Sequence, residues 1–171
     1  VGEPMIARSV GEVVVSRNNA YHAGDLVVGM MDWSDYAVVP GAKGLRAADP
    51  EFAPLPYYLG ALGMPGMTAW IGMKEIGKPK EGETLFVSAA SGAVGQIAGQ
   101  MGRMAGCRVV GCAGSDEKVA YLTGEIGFDA AFNHRTEGDY LGALKRCCPT
   151  GIDVNFENVG GAMLEAVIEH T

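Results

Sequence analysis

Four stretches of the sequence hold residue types that bind a charged nucleotide. The first is Leu85-Phe86-Val87-Ser88-Ala89-Ala90-Ser91-Gly92-Ala93-Val94-Gly95, an apolar run that passes straight into two glycines. Small residues at such a turn let backbone N–H groups approach a pyrophosphate, whose charge meets the positive end of a following helix. Gly92, Ala93, Val94 and Gly95 are therefore candidate pyrophosphate-binding residues. A short glycine motif also suits a tight turn without a ligand. What separates the two is its setting, a strand before and a helix after within a strand–helix–strand unit.

The second stretch follows the next apolar run. A pocket for NAD needs an acid about 20 residues past the glycine turn to bind both ribose hydroxyls. Here the chain reads Ala113-Gly114-Ser115 and only then Asp116-Glu117-Lys118. Asp116 falls in the opening turn of a helix, where its charge suits the helix dipole. Small residues leave room for a 2′-phosphate, and Ser115 and Lys118 can donate to it, so the pattern predicts NADP(H). The alternative for Lys118 is a solvated helix position. Phe132-Asn133-His134-Arg135 ends a third apolar run, and His134 and Arg135 can close over the adenosine phosphate, although a lone exposed His is as often simply solvated. In Phe156-Glu157-Asn158-Val159-Gly160-Gly161, Asn158 can hydrogen-bond the cofactor's nicotinamide half, or the stretch is a helix-entry turn.

These residues must be positioned by regular elements. From Thr84 onward the chain alternates strand and helix: strands Thr84–Ser88, Cys107–Cys112, Asp129–Phe132 and Ile152–Phe156, with helices through Met104, over Asp116–Ile126 and Asp139–Cys147, and from Ala162. Strands that are apolar along their length, joined by helices, predict a parallel sheet covered on both faces. Before Thr84 the pattern differs. Glu12–Ser16, Asp25–Met30 and Ser34–Val39 read as strands, Pro40 to Pro56 as loop, and Met67–Ile76 as a helix stopped by Gly77-Lys78-Pro79. A β-rich piece precedes an α/β piece.

Composition narrows the function classes. Nearly half of the 171 residues are hydrophobic and 19% are charged, a globular balance that excludes intrinsic disorder. Thirteen Lys and Arg against twenty Asp and Glu leave a net charge of −7, which argues against nucleic acid and anionic membrane as partners. Phe52–Met73 and Thr84–Gly102 carry no charge, but prolines and glycines break the first, and Ser, Gln and Gly the second, so neither reads as a membrane span. The four cysteines, at 107, 112, 147 and 148, form no C-x-x-C pair and have no His at ligand spacing, so no metal site is expected. Reduced thiols and no signal peptide predict a cytoplasmic protein. Val1-Gly2-Glu3-Pro4 lacks an initiator Met and the chain stops inside an apolar-periodic stretch, so both ends read as cut.

Six segments, in order, resemble the zinc-independent medium-chain dehydrogenase/reductase proteins, in particular the prostaglandin reductase and NADP-dependent alkenal double-bond reductase branch: Gly24–Gly29, Trp33–Val38, Gly63–Ala69, Ala89–Gly95, Ala113–Val119 and Glu157–Gly161. The resemblance implies a truncated Rossmann-type parallel sheet over residues 61–171, preceded by part of a GroES-like β-rich substrate domain over residues 1–60. It implies NADPH-dependent reduction of the carbon–carbon double bond of small α,β-unsaturated aldehydes or ketones, with hydride passing to the β-carbon and a hydrogen-bond donor steadying the enolate. Met64 is expected near the nicotinamide, Gly92 to Gly95 on the pyrophosphate, Lys118 on the 2′-phosphate and Asn158 on the ribose–nicotinamide side. His134 stands where the branch commonly has Tyr. The tyrosine usually assigned to the enolate lies beyond the stretch that matches, so no catalytic residue is assigned. Family habit implies a homodimer. A quinone reductase of the same superfamily and a non-catalytic NADP-binding module are the alternatives.

Overall fold

The computed structural model describes residue 2 and residues 4–171. Val1 and Glu3, which belong to the expected first domain, lie outside the described residues. The chain divides into two compact units, one ending at Met64 and the other spanning Pro65–Thr171.

In the first unit, β1 (Ile6–Glu12) pairs antiparallel with β2 (Leu26–Asp32), from Ile6 opposite Asp32 to Glu12 opposite Leu26, and β2 pairs with the short β3 (Arg46–Ala47). Val27 and Val28 of β2, on opposite faces of the strand, are both buried. The strand expected at Glu12–Ser16 lies earlier. Val13 N–H donates to Asp25 O at 2.8 Å and Gly24 N–H to Val13 O at 2.8 Å, after which the chain peels away and leaves Val14 and Val15 exposed. Ser34–Val39 is not a strand either. Ser34 N–H turns back to Asp32 O at 2.9 Å and its hydroxyl donates to Tyr36 O at 2.7 Å, so no neighbouring strand meets this β-prone run.

The second unit begins one residue into α1 (Met64–Ile71), which widens into a turn with i→i+5 bonding over Gly72–Gly77. Then β4 (Thr84–Val87), α2 (Ala93–Met104), β5 (Arg108–Ala113), α3 (Asp116–Tyr121), β6 (Ala130–Asn133), α4 (Tyr140–Cys147), β7 (Val154–Phe156) and α5 (Gly161–Glu169) alternate as expected, each strand end within two residues of its expected place. The four strands are parallel, in the order β6-β5-β4-β7.

Period-two alternation splits the strand side chains between two apolar layers. Leu85, Val87 and Val109 pack with Ala98, Leu122 and Phe128 on one face, together with Met73 from the turn after α1. Phe86, Val110 and Phe132 pack with Leu144 of α4 and Met163 and Val167 of α5 on the other. Phe86 and Phe132 stack with centroids 6.1 Å apart. Full burial of side chains of this size contributes about 1.5–3 kcal/mol each, which explains why the strands are apolar throughout.

The Phe128 ring fills the angle between α2 and β5. A Cβ on Gly111 would stand 2.8 Å from it, and one on Gly99 would overlap it. The two charge-free stretches fold as short elements, and among the described residues no helix is long and apolar enough to cross a membrane.

Candidate functional site

The connections through α2 and α3 carry the chain from β4 outward to β5 and β6, and β7 then returns to the other side of β4. The carboxyl ends of β4 and β7 therefore flank a topological switch point, where open α/β sheets bind ligands. All but one of the candidate residues lie along this sheet edge.

The turn after β4 is closed by Gly92 N–H donating to Ala89 O at 2.9 Å, with Ala89 at φ 45°. The helix can leave the turn this tightly only because Gly95 has no side chain: a Cβ there would lie 2.6 Å from Ala89 O and 2.8 Å from Ala90 Cα. Gly92 is the N-cap residue of α2 and no side chain caps the helix. The first intrahelical bond is Gln96 N–H to Gly92 O, so the N–H groups of Ala93, Val94 and Gly95 lack intrahelical partners. Gly92 and Ala93 are exposed, Val94 is half-buried and Gly95 is buried.

At the end of β5, Ser115 caps α3 by accepting Lys118 N–H on its Oγ at 3.4 Å, which leaves the hydroxyl proton free to donate. Lys118 is exposed, and its ammonium has no hydrogen-bond or ion-pair partner among the described residues. Asp116, the first acid after β5, is engaged: its Oδ1 accepts Asn133 Nδ2–H at 2.7 Å, and Asn133 Oδ1 accepts Arg135 N–H at 3.1 Å. His134 N–H bonds Ala113 O at 3.0 Å. The side chains of His134 and Arg135 lie against β5's end, where a Cβ on Gly114 would be 3.5 Å from His134 Nε2 and 3.2 Å from Arg135 Nε. The edge thus brings Ser115, His134 and Arg135 around Gly114, with Lys118 one turn into α3.

At the switch point the fully buried Ser88 links β4 to the segment after β7. Asn158 N–H donates to Ser88 Oγ at 2.7 Å and Asn158 Nδ2–H to Ser88 O at 2.9 Å. Ser88 in turn donates its hydroxyl proton to Glu157 Oε1 at 2.7 Å, which also accepts Val159 N–H at 2.6 Å and Gly160 N–H at 2.8 Å. Burial pushes the Glu157 carboxyl up, but hydrogen bonds from Gly160, Ser88 and Val159 outweigh it and hold the carboxyl below its ordinary value. Met64 belongs to the other unit and is exposed at the start of α1.

Asn133, Ser88 and Glu157 were not singled out from sequence, since the partners that give them a role lie 17 and 69 residues away. The one available signal was that each stands at or next to the carboxyl end of a predicted strand. Among the described residues no three His, Cys, Asp or Glu come together as metal ligands. The donor set suits a dinucleotide phosphate: uncapped helix N–H groups, a hydroxyl, an ammonium and a guanidinium, with the first acid after β5 held by Asn133.

A parallel sheet with a glycine-opened helix at its switch point makes the second unit a Rossmann-type domain. Residues 93–171 match the family model described as zinc-binding dehydrogenase, and residues 1–47 the one described as N-terminal domain of oxidoreductase. The chain is 52% identical over 167 residues to the 2-alkenal reductase (NADP(+)-dependent) of Nicotiana tabacum, covering 98% of this chain and 49% of that one. It is 49% identical over 170 residues to the (+)-pulegone reductase of Mentha piperita, covering 99% and 50%. The crystal structure of CurA in complex with NADPH from Vibrio vulnificus superposes with a TM-score of 0.87 at 40% identity, over 97% of this chain and 49% of that one. The chain belongs to the medium-chain dehydrogenases/reductases, in their zinc-independent branch. It spans about half the length of the curated relatives it matches.

Proposed function

We propose that this chain carries the NADP(H)-binding part of an NADPH-dependent reductase of α,β-unsaturated aldehydes and ketones. The observation that carries the cofactor reading is the end of β5, where Asn133 holds the Asp116 carboxylate while the Ser115 hydroxyl and the Lys118 ammonium stay available. An acid free to face a ribose would favour NAD and repel a 2′-phosphate. Engaged as it is, it leaves a donor set that favours the phosphate, with His134 and Arg135 lining the same corner.

In this reading the N–H groups of Ala93, Val94 and Gly95, opened by Gly92, hold the pyrophosphate at the positive end of α2. Asn158 meets the ribose–nicotinamide side, and Met64 packs near the nicotinamide. When bound, NADPH supplies the hydride that adds to the β-carbon of the conjugated double bond. The acceptor class is supported by the names of the relatives, an alkenal reductase and a reductase of the enone pulegone. Residues 61–171 form the cofactor domain and residues 1–60 the end of a GroES-like substrate domain. The protein is a homodimer of the cytoplasm, where its four unpaired thiols stay reduced.

Fluorescence titration of the protein with NADPH and with NADH tests the cofactor. Selective NADPH binding, followed by NADPH consumption with an enone and not with a quinone, is the expected result. Consumption with the quinone alone would move the acceptor to the quinone reductases. Absence of any binding by folded protein would leave an interaction module.

A further inference from the structure

The Ser88–Glu157–Asn158 cluster does more than close a turn. Asn158 is exposed, yet both its backbone N–H and its side-chain Nδ2 are spent on Ser88, at 2.7 and 2.9 Å. Its Oδ1 makes no hydrogen bond among the described residues. An Asn amide turned at random offers a donor or an acceptor with equal ease. Here the Ser88 carbonyl, which can only accept, takes one Nδ2–H and so fixes which end of the amide is Oδ1.

The backbone that carries this amide is anchored one step back. Ser88 Oγ accepts Asn158 N–H at 2.7 Å while giving its own proton to Glu157 Oε1 at 2.7 Å, so the hydroxyl holds Asn158 where its amide reaches the Ser88 carbonyl. Glu157 is held as an acceptor by two further N–H groups, Val159 at 2.6 Å and Gly160 at 2.8 Å, and an ionised carboxylate has no proton to return. Its other oxygen, Oε2, is buried with no hydrogen-bond partner among the described residues, as is Asn155 Oδ1 two residues earlier in the chain. A buried unsatisfied oxygen costs stability. What Oε1 holds in place explains why a carboxylate stands there.

We propose that Ser88 and Glu157 are positioning residues that fix Asn158 with its Oδ1 outward, as the acceptor for a hydrogen-bond donor on the nicotinamide half of the cofactor. The inference rests on the NADP(H) reading above. The donor is a ribose hydroxyl or a carboxamide N–H, which share the chemistry of a neutral donor.

The test measures binding of NADPH and of 2′,5′-ADP, which has the 2′-phosphate but no nicotinamide half, to wild type, Ser88→Ala, Ser88→Thr, Glu157→Gln, Asn158→Ala and Ser88→Ala/Asn158→Ala. Loss of one hydrogen bond corresponds to roughly 5- to 10-fold in affinity. That loss is expected for NADPH in Ser88→Ala and, more weakly, in Glu157→Gln, with recovery in Ser88→Thr. Binding of 2′,5′-ADP should stay unchanged throughout. In the Asn158→Ala background, Ser88→Ala should cost nothing further, because a positioning residue acts only through the residue it positions.

Equal NADPH losses in the two backgrounds, or parallel losses of 2′,5′-ADP, would overturn the assignment. If Ser88→Ala does not fold, Glu157→Gln made with and without Asn158→Ala carries the same comparison. Repeating the titration with the 3-acetylpyridine analogue of NADPH, which lacks the carboxamide N–H, separates the donors. A variant effect that persists assigns the ribose hydroxyl, and one that vanishes assigns the carboxamide. Wild type that binds neither NADPH nor 2′,5′-ADP would defeat the cofactor reading itself. Wild type that binds both, with variants indistinguishable from it, would defeat this inference alone.

Discussion

Lys118 projects from an exposed position of α3 while the acid two residues before it is tied to Asn133. Replacing its charge-assisted contact, about 1.5–3 kcal/mol, is expected to weaken NADPH binding roughly 10- to 150-fold in Lys118→Ala and to leave NADH binding almost unchanged. An equal loss for both cofactors in paired titrations would count against a 2′-phosphate partner. Releasing Asp116 should act in the opposite sense. Asn133→Ala frees a carboxylate beside the ribose, and the ratio of NADPH to NADH affinity is expected to fall. Glu157 predicts a pH dependence. Its folded-state carboxyl lies below the ordinary value of 4.5, so its contribution to stability is present above that pH and disappears as acid protonates the folded form. The gap in urea midpoint between wild type and Glu157→Gln should be widest near neutrality and close as pH falls below 4.5. A gap independent of pH would show that the carboxylate is not the source. Ser115 and Lys118 were legible because an N-cap and its first turn are local in sequence. Asn133 and Glu157 were not, because each takes its meaning from a strand end elsewhere in the chain.

The four strands and four intervening or following helices of the second unit were readable because burial on both sheet faces writes itself as short apolar runs between helical stretches. The first unit resisted. Val13–Val15 is the most β-prone run there, yet pairing ends near Val13, and β1 instead uses the less apolar Ile6–Glu12, whose Arg8, Ser9 and Gly11 are paired by β2 rather than by propensity. The two wide turns also escaped periodicity. Gly72–Gly77 and Leu122–Ile126 continue their helices with one extra residue per turn, and a Cβ on Gly72 would collide with Phe156 of β7. At this scale Gly95→Ala is the informative change. Its Cβ meets backbone, Ala89 O at 2.6 Å and Ala90 Cα at 2.8 Å, which cannot rotate away. We expect a loss of about 1–3 kcal/mol in urea unfolding, together with weaker NADPH binding as the mouth of α2 shifts. Unchanged stability would mean that the turn is looser than its geometry.

Across the whole chain, four unpaired thiols sit at different depths. Cys112 and Cys148 are buried, and burial pushes both up to about 11, while Cys147 is half-buried at the end of α4. Under native conditions near neutral pH, iodoacetamide is expected to reach Cys147 first and the other three only on unfolding, as peptide mapping would show; early labelling of Cys112 would indicate that the sheet opens locally. The homodimer is checked by sedimentation velocity, where a monomer at micromolar concentration would refute it. The ring of Phe128 has a historical consequence. It occupies the space that a side chain at position 99 would need, and at position 111 it shares that exclusion with the Ala90 methyl, which a Cβ would meet at 2.6 Å. Drift at 99 and at 128 is therefore mutually constrained, while 111 is held by residue 90 as well. A lineage that trades the ring for a smaller aliphatic residue opens room for alanine at 99, and the order of those steps matters, since alanine first means a clash and the smaller residue first means only a cavity. In descendants of a common ancestor positions 99 and 128 should change in company, with the aromatic residue the first to go.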